Sequence, residues 1–206
     1  MLFVLTRHVL FDILSLEDED DMKYEKMIEK QSRLNSNKQI DLVSGEQLES
    51  FLKSIIEDKN LENELKAFII LSISGGLRVS EVRQLKKEHI YEIDGNVFGK
   101  IKVLKKSRTE YREFIIHPIA KSFLKDYAKS VIGHLVKSSQ PTLYRKIQAT
   151  FGGDFCNHSL RHSLISYLLF EKNMNHLKAA KLMHMGVKTI EHYAHLNERK
   201  TLKEIF

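Results

Sequence analysis

The chain has 206 residues, of which 42% are hydrophobic and 29% charged, and it carries a net charge of +6. This composition is typical of a soluble globular domain and excludes a disordered chain, while a single cysteine, Cys156, excludes an internal disulfide and a cysteine-rich zinc site. The positive charge favours a polyanionic partner, although ordinary solvated faces explain it equally well.

The N-terminal stretch MLFVLTRHVLFDILSL is apolar but contains Arg7, His8 and Asp12. It is too short and too polar to span a membrane, and it lacks the small-residue cleavage site of a secretory signal. We therefore expect a cytoplasmic protein with no membrane partner.

A domain boundary is predicted near residue 40. The acidic run EDEDD at residues 17–21 is followed by SRLNSNKQIDL at 32–42, which has no apolar period and is rich in Ser and Asn, as linkers are. Adjacent carboxylates do not face one another, so the acidic run is a poor metal cage and is interpreted as a solvated segment. We divide the chain into residues 1–40, an N-terminal region with its linker, and residues 41–206, the main domain.

Apolar residues at helical spacing predict two helices after this boundary. Ser44 and Gln47 fit a capping box at the start of the first helix. Its apolar face consists of Leu48, Phe51, Leu52, Ile55 and Ile56. The second helix, LENELKAFIILSIS, is apolar on most sides towards its end and should be buried. Gly75 and Gly76 interrupt it.

The rest of the chain predicts a β-hairpin set among helices. Arg78 begins a third helix, RVSEVRQLKKEHI, and NVFGKIKVL and YREFIIHP form a hairpin whose basic tip is KKSRTE. After Pro118, helical patterns return in IAKSFLKDYAKSVI, TLYRKIQAT and NHSLRHSLISYLLFEK, with short helices to Phe206. The predicted fold class is mainly α with a small antiparallel β-sheet or hairpin.

Six residues form a set that suits metal-free attack on a phosphodiester. They are Arg78, a hairpin lysine, His158, Arg161, His184 and Tyr193. A phenol with a pKa near ~10 is a weak nucleophile at neutral pH and needs a base or a strong positive field. Guanidinium groups hold two phosphate oxygens at once, and a lysine or histidine can protonate the leaving oxygen.

Other interpretations of these residues remain open at this point. His158 and His162 have the i, i+4 spacing that can bind zinc, but the glutamate of H-E-x-x-H is missing and Arg161 lies between them. Taken alone, the stretch also fits a packed or capping histidine beside an arginine that pairs with a carboxylate.

Three motifs resemble those of the tyrosine recombinase family, the phage-integrase type of site-specific DNA recombinase. GGLRVSEVRQL resembles its first arginine motif, HSLRHSLISYLL its H-x-x-R box and LMHMGVKTIEHYAHL its end motif. In order they supply Arg78, Glu81, His158, Arg161, His184 and Tyr193. The steps of 23 residues from Arg161 to His184 and of nine to Tyr193 match the family spacing, and the resemblance covers residues 42–200.

The family places a general-acid lysine in the hairpin, and VLKKSRTEYREFIIHP stands at that position. We favour Lys106, which directly precedes the expected turn, over the neighbouring Lys105. Two positions depart from the family pattern: Ser159 stands where Asp is usual, and Met183 where Gly is usual before the histidine.

The resemblance implies a mechanism without metal, ATP or another cofactor. Tyr193 attacks a DNA phosphate, which leaves a 3′-phosphotyrosine link and a free 5′ hydroxyl. In that mechanism His158 assists proton transfer and the hairpin lysine protonates the leaving oxygen. The residues that hold the phosphate are Arg78, Arg161 and His184.

The resemblance also implies partners and a domain that this chain does not fully contain. Members act on double-stranded DNA at a specific site, as homo-tetramers on two sites that exchange a C-terminal helix. NERKTLKEIF at residues 197–206 fits that helix, and it fits equally well a helix packed on its own domain. Members carry a helical core-binding domain before the catalytic one, and residues 1–40 are interpreted as a remnant of it.

Two other functions fit part of the pattern. A type IB topoisomerase uses a similar residue set to relax supercoils, but the chain length and the HSLRH form favour the recombinase. A non-catalytic helical DNA-binding module would explain the basic helices, but it has no need for Tyr193 at that spacing.

Overall fold

A computed structural model of the protein describes residues 45–105, 108–152, 155 and 157–191. All of them lie within one unit, Leu42–Phe206. The N-terminal region 1–40 and the Ser44 cap lie outside the described residues, so the boundary near residue 40 stays a prediction. No helix in the described part of the chain is long and apolar enough to cross a membrane.

The first two predicted helices are confirmed. Helix α1 spans Gly45–Glu57, and helix α2 spans Asn63–Gly75. From α1, the side chains of Leu48, Leu52 and Ile55 are buried, as their spacing predicts. Helix α2 is buried almost all round from its first turn onward, because it runs through the centre of the main hydrophobic cluster.

The third predicted helix is wrong in length. Helix α3 spans only Val79–Val82, and a 3₁₀ turn follows at Lys87–His89. The chain leaves the helical path because the carbonyl of Leu85 accepts a hydrogen bond from the distant Leu135 N–H, at 2.9 Å. A local helical pattern contains no sign of that long-range partner.

The predicted hairpin is confirmed, and a third strand joins it. Strand β1 (Ile90–Ile93), whose first residue is the last of the predicted third helix, pairs antiparallel with β2 (Asn96–Lys105). Strand β2 pairs antiparallel with β3 (Arg108–Ile115). The last Cα pair between β2 and β3 is Lys105 with Arg108. The strands therefore extend into the predicted tip and leave only two connecting residues, which lie outside the described residues.

The remaining helices follow the sheet in the chain. They are α4 (Lys121–Ser130), α5 (Gln140–Phe151), α6 (Asn157–Ser166), a π-helical turn (Tyr167–Glu171) and α7 (His176–Met183), and residues 187–191 are helical too. Helix α6 contributes Leu160 to the main cluster and Leu164 to a smaller cluster, which also contains Ala180 and Met183 of α7. The predicted fold class, mainly α with a small antiparallel sheet, is confirmed.

Glu64 ties the start of α2 to the segment before α5. Its carboxylate accepts hydrogen bonds from the backbone N–H groups of Lys137 and Ser138, at 2.5 and 2.9 Å, and from the Ser138 hydroxyl at 2.6 Å. Burial raises the pKa of Glu64, but these hydrogen bonds and the nearby Lys146 outweigh it and hold the pKa below its ordinary value of 4.5.

We expect Glu64→Gln to lower the free energy of unfolding at pH 7 by roughly 1–2 kcal/mol, because an amide offers one acceptor oxygen where the carboxylate offers two. The folded-state pKa lies below the unfolded one, so the stabilisation is fully present above about pH 4.5 and is lost as the pH falls through the folded value. Urea unfolding of both proteins from pH 7 to pH 3 measures this. A stability difference that does not shrink in acid would contradict the prediction.

Candidate active site

Arg78 and Glu81 form the exposed edge of the site. Arg78 stands just before α3, where its backbone N–H donates to Glu81 Oε2 at 2.7 Å and its Nη1 donates to Glu81 Oε1 at 3.3 Å. A glutamate three residues into a helix that returns to the N-cap backbone is half of a capping box. The Arg78 side chain is still 51% exposed, so its guanidinium is held at one side and open to solvent at the other.

Arg161 is the buried centre of the site. It extends from α6 and is only 2% exposed. Its Nη1 donates to the Gly76 carbonyl and lies 3.9 Å from Glu81 Oε2, and its Nη2 donates to the Met183 carbonyl at 3.0 Å. One planar guanidinium thus joins the carboxyl ends of α2 and α7. A cation is favourable at both places because helix C-termini carry unpaired carbonyls and partial negative charge.

His184 ends α7 directly after the carbonyl that Arg161 binds. Its backbone is left-handed, with φ +49° and ψ +46°, and the next residue, Met185, donates its N–H to the Ala180 carbonyl at 2.9 Å. This is the usual way in which a helix satisfies its last carbonyls, although glycine more often occupies the left-handed position. The helix end therefore fixes His184 beside Arg161.

Met183, the departure from the family pattern, has a packing role. It is buried, and its side chain lies where a Cβ on Gly76 would have to be. Gly76 itself is left-handed, with φ +56°. The position of Met183, at the end of α7, therefore requires a glycine at position 76, directly after α2.

The structure brings two of the predicted site residues, Arg78 and Arg161, together at Glu81. Arg161 also binds the carbonyl of Met183, the residue directly before His184. His158 lies in the first turn of α6, where only its backbone is described, and Lys106 and Tyr193 lie outside the described residues. The catalytic roles of all six predicted residues stay predictions.

Sequence reasoning missed Arg112, a second buried arginine. It lies on β3, is 4% exposed, and donates from Nη2 to the Gly75 carbonyl. Burial lowers the pKa of its guanidinium; nearby Glu81 raises that pKa and nearby Arg78 lowers it. A signal was present, because Arg112 alternates with Phe114 and Ile116 along the strand, and all three are buried.

The site concentrates positive charge in a fixed geometry. Arg78 and Arg161 both lie beside the carboxylate of Glu81, and the same carboxylate raises the pKa of Arg112; of these three arginines only Arg78 is exposed. Such an excess of positive charge beside helix ends suits an anionic ligand with several oxygens, such as a phosphodiester. The zinc alternative is not tested, because the side chain of His158 is not among those that the structure describes.

No protein-family model matches the sequence, and no curated protein matches it either. Solved structures do. The XerH site-specific recombinase, bound to palindromic difH substrate after cleavage, matches 79% of this chain at a TM-score of 0.60 and 20% identity, over 51% of its own length. The XerA recombinase matches 75% at 0.57 and 21% identity, over 61% of its length. This chain has the fold of a tyrosine recombinase catalytic domain.

The recombinase likeness extends to a transposon enzyme. The Tn1549 transposon integrase, in complex with a circular intermediate DNA, matches 73% of this chain at a TM-score of 0.51 and 15% identity, over 60% of its length. The chain thus spans about half to three fifths of the length of these recombinases and integrases. The resemblance in the sequence motifs is confirmed at the level of the fold.

We expect Gly76→Ala to lower the free energy of unfolding by about 2–4 kcal/mol, because the new Cβ adds left-handed strain and collides with Met183. Gly95→Ala is the matched control: Gly95 is also left-handed, at φ +73°, but a Cβ there meets no described atom within 4 Å, so only the strain of about 1–2 kcal/mol applies. Urea denaturation measures both, and equal losses would refute the collision.

Proposed function

We propose that this chain is the catalytic part of a site-specific DNA recombinase that cuts and rejoins DNA through a 3′-phosphotyrosine intermediate. The observation that carries the proposal is the placement of Arg78 and Arg161 around Glu81, beside His184, within a recombinase fold. Those are the positions that the three sequence motifs assign to phosphate binding.

The proposed step exchanges one phosphoester bond for another. The phenol oxygen of Tyr193 attacks the phosphorus, the new bond joins it to the 3′ phosphate, and the bond to the 5′ oxygen breaks. The phenol proton leaves with the help of His158, and a proton from Lys106, or from the neighbouring Lys105, completes the 5′ hydroxyl. The hydroxyl of a partner strand then reverses the step.

The guanidinium groups of the site are suited to accelerate such a step. Charge gathers on the non-bridging phosphate oxygens during the attack, and guanidinium groups that are already in place stabilise it without reorganisation. Arg78 is held by Glu81 on one side and open on the other, so it is suited to meet the phosphate. The energy of the broken bond is kept in the phosphotyrosine, so the proposed reaction needs no ATP, and the guanidinium groups take the charge-stabilising role that a metal ion would otherwise have.

The proposed partner is double-stranded DNA at a specific site. The XerH structure is bound to palindromic difH substrate and the Tn1549 integrase structure to a circular intermediate DNA. The net charge of +6 on this chain is consistent with a polyanionic partner. We further propose a homo-tetramer on two DNA sites, formed by exchange of the C-terminal segment at residues 197–206, and a cytoplasmic location.

We expect Tyr193→Phe to keep DNA binding and to lose all covalent capture, because the ring remains and the nucleophile does not. The protein and this variant are mixed with a pool of nicked suicide duplexes without added metal, and the shifted band is mapped by mass spectrometry. An adduct of normal yield from Tyr193→Phe would refute the assignment. Sequencing of the captured DNA identifies a preferred site, and relaxation of a plasmid without strand exchange would favour a topoisomerase instead.

We expect Arg161→Lys to slow cleavage at least ~10²-fold, as removal of one preorganised donor does. An ammonium keeps the charge, but it cannot span the Gly76 and Met183 carbonyls as the planar fork does. Single-turnover adduct formation measures the rate, at a temperature where circular dichroism shows the variant folded. Arg145→Lys, an exposed arginine on α5, is the matched control. Near-normal cleavage by Arg161→Lys would mean that the arginine is structural.

A further inference from the structure

Two buried arginines bind two consecutive carbonyls at the end of α2. Arg112 of β3 donates to the carbonyl of Gly75, and Arg161 of α6 donates to that of Gly76. Only Arg161 belongs to the set that the sequence motifs assign to the reaction. The contact of Arg112 with the Gly75 carbonyl has no role in the reaction as the motifs describe it.

The carbonyls in question belong to the turn that places Arg78. The last carbonyls of a helix have no partner within it, so outside donors decide where the following residues go. Arg78 follows Gly76 after one residue, and its open guanidinium is the exposed cation of the site. A shift of the Gly75 carbonyl moves the start of α3 and, with it, Arg78.

A residue that only satisfied the Gly75 carbonyl would not need a charge. Burying a guanidinium costs free energy, and a neutral amide side chain could donate the same kind of hydrogen bond without that cost. The Nε of Arg112 is buried and has no hydrogen-bond partner among the residues that the structure describes. The charge of Arg112 does interact electrostatically with the pair at the open edge of the site: Glu81 raises the pKa of its guanidinium and Arg78 lowers it.

We propose that Arg112 is a positioning residue of the strand-cleavage reaction: it fixes Arg78 through the Gly75 carbonyl. This role rests on the function proposed above. It differs from a role in folding because it predicts a loss of rate in protein that remains folded.

The test uses Arg112→Met, Arg112→Lys and a matched control, Lys66→Met. Lys66 is also a buried cation that donates to a backbone carbonyl, that of Ile56, at 2.8 Å, but it lies near the opposite end of α2. Each protein is assayed with the duplex that the unaltered chain captures, for affinity and for the single-turnover rate of adduct formation, below its unfolding transition.

We expect Arg112→Met to bind the duplex within about threefold of the unaltered chain and to form adduct ~10²-fold more slowly, the loss that a small misplacement of a reacting group causes. Arg112→Lys recovers part of that rate, since it keeps a charged donor for Gly75. Lys66→Met lowers the unfolding temperature and leaves the rate unchanged. Should Arg112→Met fail to fold, Arg112→Lys carries the test.

A double-mutant cycle with Arg78→Ala supplies the deciding readout. If Arg112 acts through Arg78, its replacement slows the Arg78→Ala protein by less than about threefold, because the group that it positions is already gone. Losses that multiply, or a normal rate in both Arg112 variants, overturn the positioning role and leave the proposed function standing. If the unaltered chain forms no adduct at all, the proposed function itself fails, and the positioning role fails with it.

Discussion

The site depends on the carbonyls at the end of α2, which have no hydrogen-bond donor within the helix. A helix that ends inside a protein must find donors for its last carbonyls, and here two guanidinium groups supply them. Because each comes from a different element, the helix end joins β3 and α6, and Arg161 extends the link to the end of α7. The glycine pair permits this, since Gly76 turns left-handed and leaves room for Met183.

The carboxylate of Glu81 reduces the electrostatic repulsion between the arginines of the site. Two buried guanidinium groups close to a third would repel one another strongly in a medium of low dielectric constant. A single carboxylate near all three offsets part of that repulsion and fixes Arg78 at the same time. The arrangement still favours an added anion, so the charges that hold the site together also leave it ready for a phosphate.

Local patterns predicted much of the fold, while the roles of the site residues stay predictions. Helices α1 and α2 and the hairpin follow from apolar periodicity, because each buries one face or all of its surface in the main cluster. The length of α3 could not be predicted from local patterns. The Leu85 carbonyl accepts its hydrogen bond from the N–H of Leu135, which lies fifty residues later in the chain. Motif spacing found Arg161, whereas Arg112 was overlooked because a charged residue among buried strand positions resembles a solvated one until the strand is placed.

The two hydrophobic clusters of the described residues differ in size. Helix α7 packs into the smaller cluster, while α6 contributes to both. Proteins open in cooperative units whose free energy rises with the apolar surface that each unit buries. We therefore expect helix α7 and residues 187–191 to exchange their amide protons sooner than α2 does.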